Sequence, residues 1–325
     1  MEGLREESKM PLVIINGPTA VGKSDVAVEL AGRINGEIIS ADSMQVYRGM
    51  DIGTAKITKE QMRGIPHHMI DIIGPECEFG VMEFQTRAKA CIRDIVSRGR
   101  MPIIAGGTGY YIQAVLYDVD FTEYDDELEL ELKSGLKSKL EDIGAVRMHE
   151  YLRSIDPASA DIIHPNNTKR LLHAIEYYEL TGRPISEHNK EQSEKQSPYD
   201  FMYFVINDDR TAVYDRINKR VDRMMDDGLE SEVRALLAAG CTQSMQSMLG
   251  IGYKEMCDYI YGRVDYDTAV ENIKKETRHY AKKQLTWFKR EKSVEFIERS
   301  DYADNSALAD ELELRLRNHF ETITG

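Results

Sequence analysis

The sequence predicts an α/β protein: a parallel sheet flanked by helices and interrupted by a helical insertion domain. Three observations carry that expectation. Short β-branched runs alternate with amphipathic stretches along the N-terminal third. The octet GPTAVGKS (17–24) follows the first such run directly and has the GxxxxGK[ST] form of a phosphate-binding P-loop. From about 119 to 198 the apolar runs give way to charged helical segments before a strand-like run returns.

Taken in order, LVIIN (12–16) reads as the first strand, and SDVAVELAGRI after the loop reads as the helix that a P-loop requires. GEIIS (36–40) is a second strand, HMIDII (68–73) a third, residues 81–99 a helix and MPIIAGG (101–107) a further strand. In the insertion, HPNNTKRLLHAIEYYELTGRP has a helix start at Asn166 or Asn167 and a stop at Gly182, ahead of Pro184. YDFMYFVIN (199–207) returns the chain to the sheet. A helix follows from Arg210, a second ends at Gly240, and then come a basic helix over 268–291, the strand VEFIE and an acidic C-terminal helix. The expected division is a core of 1–118 and 199–325 with an insertion of 119–198, in line with the two domains that 325 residues suggest.

Composition narrows the class. The opening MEGLREESKM is charged, and no run approaches the ~18 apolar residues of a membrane span, so a soluble, cytoplasmic protein is expected. Cys77, Cys91, Cys241 and Cys257 are scattered, with neither CxxC nor paired histidines, which fits reduced, mostly buried thiols rather than zinc or disulfides. A net charge of -14 argues against a globally basic nucleic-acid binder. That charge is segregated: residues 118–142 hold ten acids, among them Asp118, Glu123 and Asp125, against three lysines, whereas 268–292 hold eight Lys/Arg against three Glu. An anionic partner can still meet a positive face.

The candidate chemistry starts at the loop. Gly17 and Gly22 permit the tight turn around an anion, Pro18, Thr19, Ala20 and Val21 complete the cradle, Lys23 supplies charge, and the Ser24 hydroxyl is placed to ligate Mg²⁺. Such a loop suits ATP, but it fits a diphosphate of any origin. A P-loop ATPase places an acid at the end of another strand to hold the metal; MPIIAGG ends in Gly106 and Gly107 instead. The acid that does end a strand is Asp42, where a carboxylate can take a proton from a nucleophile attacking beside bound phosphates, or simply cap a turn. Arg216, Arg220 and Arg223 share one helix face and suit either a diphosphate clamp or a solvated stripe paired with Asp215, Asp222 and Asp226. Residues 274–292 interleave cations with Tyr280, Trp287 and Phe288, as a base-stacking surface or as an amphipathic helix packed on the core. His67 and His68, without partners at ligand spacing, read as buried or capping residues.

The segments GPTAVGKS, ISADSMQVYRGMDIGTAK, AGGTGYY, NNTKRLLHAIEYYELTGRPISE, RINKRVDRMMDDGLESEVRALL, GIGYKE and HYAKKQLTWFKR, in this order, resemble the tRNA dimethylallyltransferases (tRNA isopentenyltransferases) of bacterial type over nearly the whole chain. The resemblance implies transfer of a dimethylallyl group from dimethylallyl diphosphate to N6 of adenosine 37 in tRNAs that read codons starting with U, with release of diphosphate. It further implies Asp42 as base, Thr19, Lys23 and Arg220 at the diphosphate, Mg²⁺ on Ser24, and an anticodon stem-loop held by the insertion. The tRNA contacts it implies are Asp42, Ser43, Met44, Gln45 and Thr108; Asn167, Thr168, Lys169 and Arg170; and Leu249, Gly250, Ile251, Gly252, Tyr253 and Lys254. A monomer that spans no membrane is expected. Two departures stand out: LGIGY replaces an Arg- or Cys-containing version common in relatives, and the zinc-finger extension of eukaryotic members is lacking. Read without the resemblance, the residues also admit a nucleoside or nucleotide kinase, an adenylate isopentenyltransferase, or a nucleotide-gated RNA-binding module without turnover.

Overall fold

The computed structural model describes residues 9–121 and 126–320; Glu123 and Asp125 of the acidic run, and the charged stretch 1–8, lie outside it. β1 (Met10–Asn16), β2 (Gly36–Ala41), β3 (His67–His68), β4 (Met101–Gly106), β5 (Tyr199–Asn207) and β6 (Val294–Glu298) form one sheet in the order β3-β2-β4-β1-β5-β6. All neighbouring pairs are parallel. The carboxyl ends of the strands therefore share one edge, where Gly106 lies level with both Asn16 and Ala41 and ligands of open α/β sheets bind.

Helices cover both faces, which is why β1 is a continuous apolar run rather than an alternating one. After β1 comes α1 (Lys23–Arg33); α2 (Lys59–Met62) precedes β3, α3 (Val81–Ser97) joins β3 to β4, and α4 (Gly109–Leu116) follows β4. Val26, Ala27 and Leu30 of α1 pack on one sheet face together with Leu308, Leu312 and Leu316 of the C-terminal helix. Each buried valine or leucine among them contributes on the order of 1.5–3 kcal/mol. One expected strand is shorter than the sequence suggests. Of HMIDII only His68 joins His67 in β3, because Met69 (φ 65°) and Asp71 (φ 55°) take left-handed backbone that ends an extended run; Ile73 returns for a single bridge to Tyr47.

Among the described residues, those up to Leu116 and from Pro198 onward form one compact unit, and those between Tyr117 and Ser197 another. The second unit is helical: α5 (Asp126–Ile155), broken at Gly144 (φ 80°, ψ 163°), then α6 (Pro157–Ile162), α7 (Thr168–Thr181) and α8 (Ile185–Glu194). Its own core is built on Leu136, Met148, Leu152, Leu171 and Ile175. Buried Asp156 caps α6 and ties it to α8, accepting from Ser159 N (3.0 Å) and Oγ (2.7 Å) and from Ser186 N (3.0 Å) and Oγ (2.6 Å). Burial pushes this carboxyl up, but the four hydrogen bonds prevail and hold it below its usual range. Asn167, rather than Asn166, caps α7, and Gly182 (φ 69°) ends it.

In the first unit, β5 leads into α9 (Arg210–Asp226) and α10 (Leu229–Ala238). Then come α11 (Tyr253–Ile260) and α12 (Tyr266–Phe288) before β6, and α13 (Asn305–His319) after it. Among the described residues no helix is long and apolar enough to cross a membrane. Cys241 and Cys257 are buried as expected, Cys91 is half-buried, and Cys77, in the turn after β3, is exposed.

Candidate active site

The P-loop takes its shape from close packing. A side chain on Gly17 would meet the Ile206 carbonyl at 2.4 Å, Ala20 is left-handed (φ 62°), and Gly22 (φ 96°) starts α1. Arg216 of α9 fixes the strained turn, donating Nε to the Ala20 carbonyl (2.9 Å) and Nη2 to Asp208 (2.7 Å). Arg220, one turn on, donates Nη1 to Thr19 Oγ1 (3.3 Å), while Arg223 is exposed. The structure thus separates three arginines that spacing left equivalent: one braces the loop, one enters the site and one stands at its mouth.

Two adjoining cavities open on the Lys23 side of the loop. The outer, about 540 Å³, is lined by Gly22, Lys23, Arg216, Arg220, Arg223 and Arg299; the inner, about 80 Å³, by Thr19, Asp42, Gln45 and Gly106 among others. Lys23, Ser24 and Arg220 line both. Burial, with Arg220 acting in the same direction and Asp42 opposing, brings the Lys23 ammonium down to about 8. Burial also lowers Arg220, against the pull of Asp42.

Asp42 follows the last residue of β2, and its Oδ1 accepts the Met44 N–H (2.9 Å). The turn cap and the acid whose charge acts on Lys23 and Arg220 are therefore the same residue. The missing acid on β4 also has a steric reason. A Cβ on Gly106 would lie 2.3 Å from the Ala41 carbonyl, and one on Gly107 would lie 2.3 Å from Gln284 Nε2.

Gln284 is one residue that sequence reasoning missed. Buried on α12, it accepts the Thr19 N–H at Oε1 (2.8 Å) and donates Nε2 to the Gly107 carbonyl (2.9 Å), bolting the P-loop to the end of β4. Its signal was a polar residue on the apolar stripe Ile273, Ala281, Phe288. One turn earlier Tyr280 stands beside Thr108 and Asp42, and burial, with Asp42, raises its hydroxyl well above the usual tyrosine range. The aromatic run divides: Phe288 is core, whereas Tyr280 (38 % exposed) and Trp287 (37 %) reach the surface, the latter against Gly109 and edge-on to Tyr110.

Of the residues expected to touch RNA, several come together in the first unit. Thr108 Oγ1 accepts the Ser43 N–H (3.3 Å), Gln45 donates to the Thr54 carbonyl (3.4 Å), and Met44 lies where a Cβ on Gly250 would be (2.5 Å). Leu249 (56 % exposed) and Lys254 face solvent, with Gly250 and Ile251 half-buried between them. Tyr253, at 1 % exposure, points inward and donates to Glu232 Oε1 (2.6 Å), which leaves its backbone rather than its side chain for a contact with RNA. Glu232 also accepts the N–H groups of Asp51, Ile52 (2.8 Å each) and Gly53 (3.1 Å), holding one wall of the outer cavity. Gly252 (φ 98°) supplies the turn. In the second unit Asn167, Lys169 and Arg170 are exposed at the start of α7, with Thr168 half-buried.

His67 and His68 both have partners in the fold, and His67 also lines the inner cavity. His68 meets buried Glu37 at 2.7 Å, beside Arg98 and Arg100, and His67 contacts the Ile65 carbonyl (2.8 Å), its pKa lowered by burial. Arg98, then Arg100 and His68, hold the Glu37 carboxyl far below its ordinary value against its burial.

The chain matches the family described as IPP transferase over residues 45–291. It is 51 % identical over 302 residues to the tRNA dimethylallyltransferase of Lachnoclostridium phytofermentans, spanning 93 % of this chain and 96 % of the relative. It superposes on the tRNA delta(2)-isopentenylpyrophosphate transferase of Staphylococcus epidermidis with a TM-score of 0.70 and 45 % identity, over 96 % of this chain and 100 % of that one. A eukaryotic dimethylallyltransferase acting on tRNA gives a TM-score of 0.81 at 27 % identity, over 95 % and 80 %. With the P-loop, Asp42 and the arginine face already in place, these likenesses establish that the chain belongs to the IPP transferase family.

Proposed function

We propose that this protein is a tRNA dimethylallyltransferase that transfers the dimethylallyl group of dimethylallyl diphosphate to N6 of adenosine 37 in tRNAs reading codons that start with U. The observation that carries the reading is Asp42, set at the carboxyl end of β2 in the same inner cavity as Lys23, Thr19 and Arg220. The diphosphate lies in the P-loop, with Lys23 and Arg220 at its oxygens and C1 of the allyl group toward Asp42. A new bond forms from N6 to C1 as the C1–O bond breaks; the amine proton passes to the carboxylate, with Oδ1 held by Met44 and Oδ2 as acceptor. Negative charge collects on the departing diphosphate, where the two cations and Thr19 stand.

Mg²⁺ fits this donor set. Among the described residues no cluster of three or more His, Cys, Asp or Glu exists to cage a metal. The Ser24 hydroxyl, which lines both cavities, would hold it beside the diphosphate, where it would neutralise charge on the leaving group.

Adenosine 37 must leave its stack to reach Asp42, at roughly a few kcal/mol. Ser43 to Gln45 and Thr108 receive the extruded nucleotide. Leu249 to Lys254, by its exposed positions and backbone, and Asn167 to Arg170 grip the anticodon arm. The setting is the cytoplasm, with the chain acting as a monomer. The test incubates the protein with radiolabelled dimethylallyl diphosphate, Mg²⁺ and unmodified tRNA, in parallel with AMP and with ATP plus nucleosides. Label on tRNA alone supports the assignment; none on tRNA at saturating donor sinks it.

A further inference from the structure

β6 ends on the same edge of the sheet as β1, and the next residue, Arg299, opens a single turn of 3-10 helix through Asp301. Its side chain runs back across the P-loop: a Cβ on Gly22 would lie 3.3 Å from Arg299 Nε. Nη2 donates to Asn305 Oδ1 (3.0 Å). Nε, by contrast, is buried without a hydrogen-bond partner, a state shared among the described residues only by the Tyr47 hydroxyl. A buried N–H left unpaired is costly, so a nearby acceptor is expected, and the loop beside it is built for anions.

The position along the cleft is informative. Asp42 lines only the inner cavity, Lys23, Ser24 and Arg220 line both, and Arg299 lines only the outer one. Of the other cations that line only the outer cavity, Arg216 is committed to Asp208, Lys56 to Asp51 and Asp71, and Arg223 is exposed at the mouth with its Nε on the Lys219 carbonyl (3.4 Å). We propose that Arg299 is a donor-binding residue whose guanidinium takes the phosphate of the allylic diphosphate farther from the reacting carbon. A planar guanidinium offers several N–H groups to one phosphate, so Arg299 from β6 and Arg220 from α9 hold the leaving group from two sides. This inference rests on the donor assignment made above.

The experiment titrates inorganic pyrophosphate and, separately, dimethylallyl monophosphate into the full chain with Mg²⁺, comparing wild type with Arg299→Ala and Arg299→Lys by calorimetry. The allyl group keeps the single phosphate of the monoester at the inner site. Arg299→Ala weakens pyrophosphate about 10–100-fold, the scale of a charge-assisted hydrogen bond, and leaves the monophosphate unchanged; Arg299→Lys restores part of the loss. Unchanged pyrophosphate affinity, or equal weakening of both ligands as from a distorted loop, overturns the proposal. If Arg299→Ala does not fold, Arg299→Lys decides by the same contrast between ligands. Label transfer by the wild type separates the two readings. Pyrophosphate binding without prenylation of tRNA removes the donor assignment, whereas prenylation with an indifferent Arg299→Ala removes only Arg299.

Discussion

Replacing Asp42 by Asn separates its two duties. The amide oxygen still accepts the Met44 N–H, so the turn at 2.9 Å survives, but an amide cannot take the amine proton. A positioned general base contributes on the order of 10²–10⁴ in rate, which at about 1.4 kcal/mol per tenfold is roughly 3–5 kcal/mol of barrier. Asp42→Asn should therefore lower kcat by about 10²–10⁴ and leave tRNA affinity and melting temperature near wild type. Removing the charge also removes the force that raises Lys23, so the ammonium of this variant titrates lower still. Asp42→Ala loses the turn bond as well, adding a stability loss of about 0.5–1.5 kcal/mol that Asn does not show. The assay is single-turnover prenylation of a tRNA anticodon stem-loop, with thermal denaturation of all three proteins. Wild-type single-turnover rates in Asp42→Asn would refute the base assignment. Equal stability losses in Asn and Ala would refute the turn bond.

The remaining predictions follow from other contacts. With Lys23 near 8, well under an ordinary lysine, the fold disfavours the ammonium: stability of the ligand-free protein rises with pH between about 8 and 10.5. A bound diphosphate favours that ammonium, so donor binding takes up a proton above pH 8 and weakens there; Lys23→Arg abolishes that uptake, as calorimetry in two buffers would detect. Gln284→Ala leaves the Thr19 N–H and the Gly107 carbonyl unpaired and should cost about 2–4 kcal/mol of stability, with a raised donor KM. Glu232→Gln turns a donor toward the N–H groups of Asp51 to Gly53, loosening the cleft wall; donor KM should rise several-fold, while single-turnover rates at saturation hold. Equal changes in KM and rate would place Glu232 nearer the chemistry than its contacts allow.

What the sequence determined by itself was what neighbouring residues decide. GPTAVGKS announces a tight loop by its glycines, and the run LVIIN before it and the helix after it fix strand, loop and helix in that order, although the Ile206 carbonyl and Arg216 complete the turn. Asp42 was legible for the same reason, since a strand end in a parallel sheet has only one edge to point toward. HMIDII misled because an apolar run carries no record of the left-handed residues that end it. Tertiary structure decided the rest. Arg216, Arg220 and Arg223 are alike on a helix face and differ only in what stands opposite them. Tyr253, a tRNA contact by resemblance, has its side chain turned inward to Glu232. Gln284 meets Thr19 across 265 residues of chain. Local spacing encodes backbone conformation; which side chain reaches the phosphate depends on partners that only the closed sheet brings together.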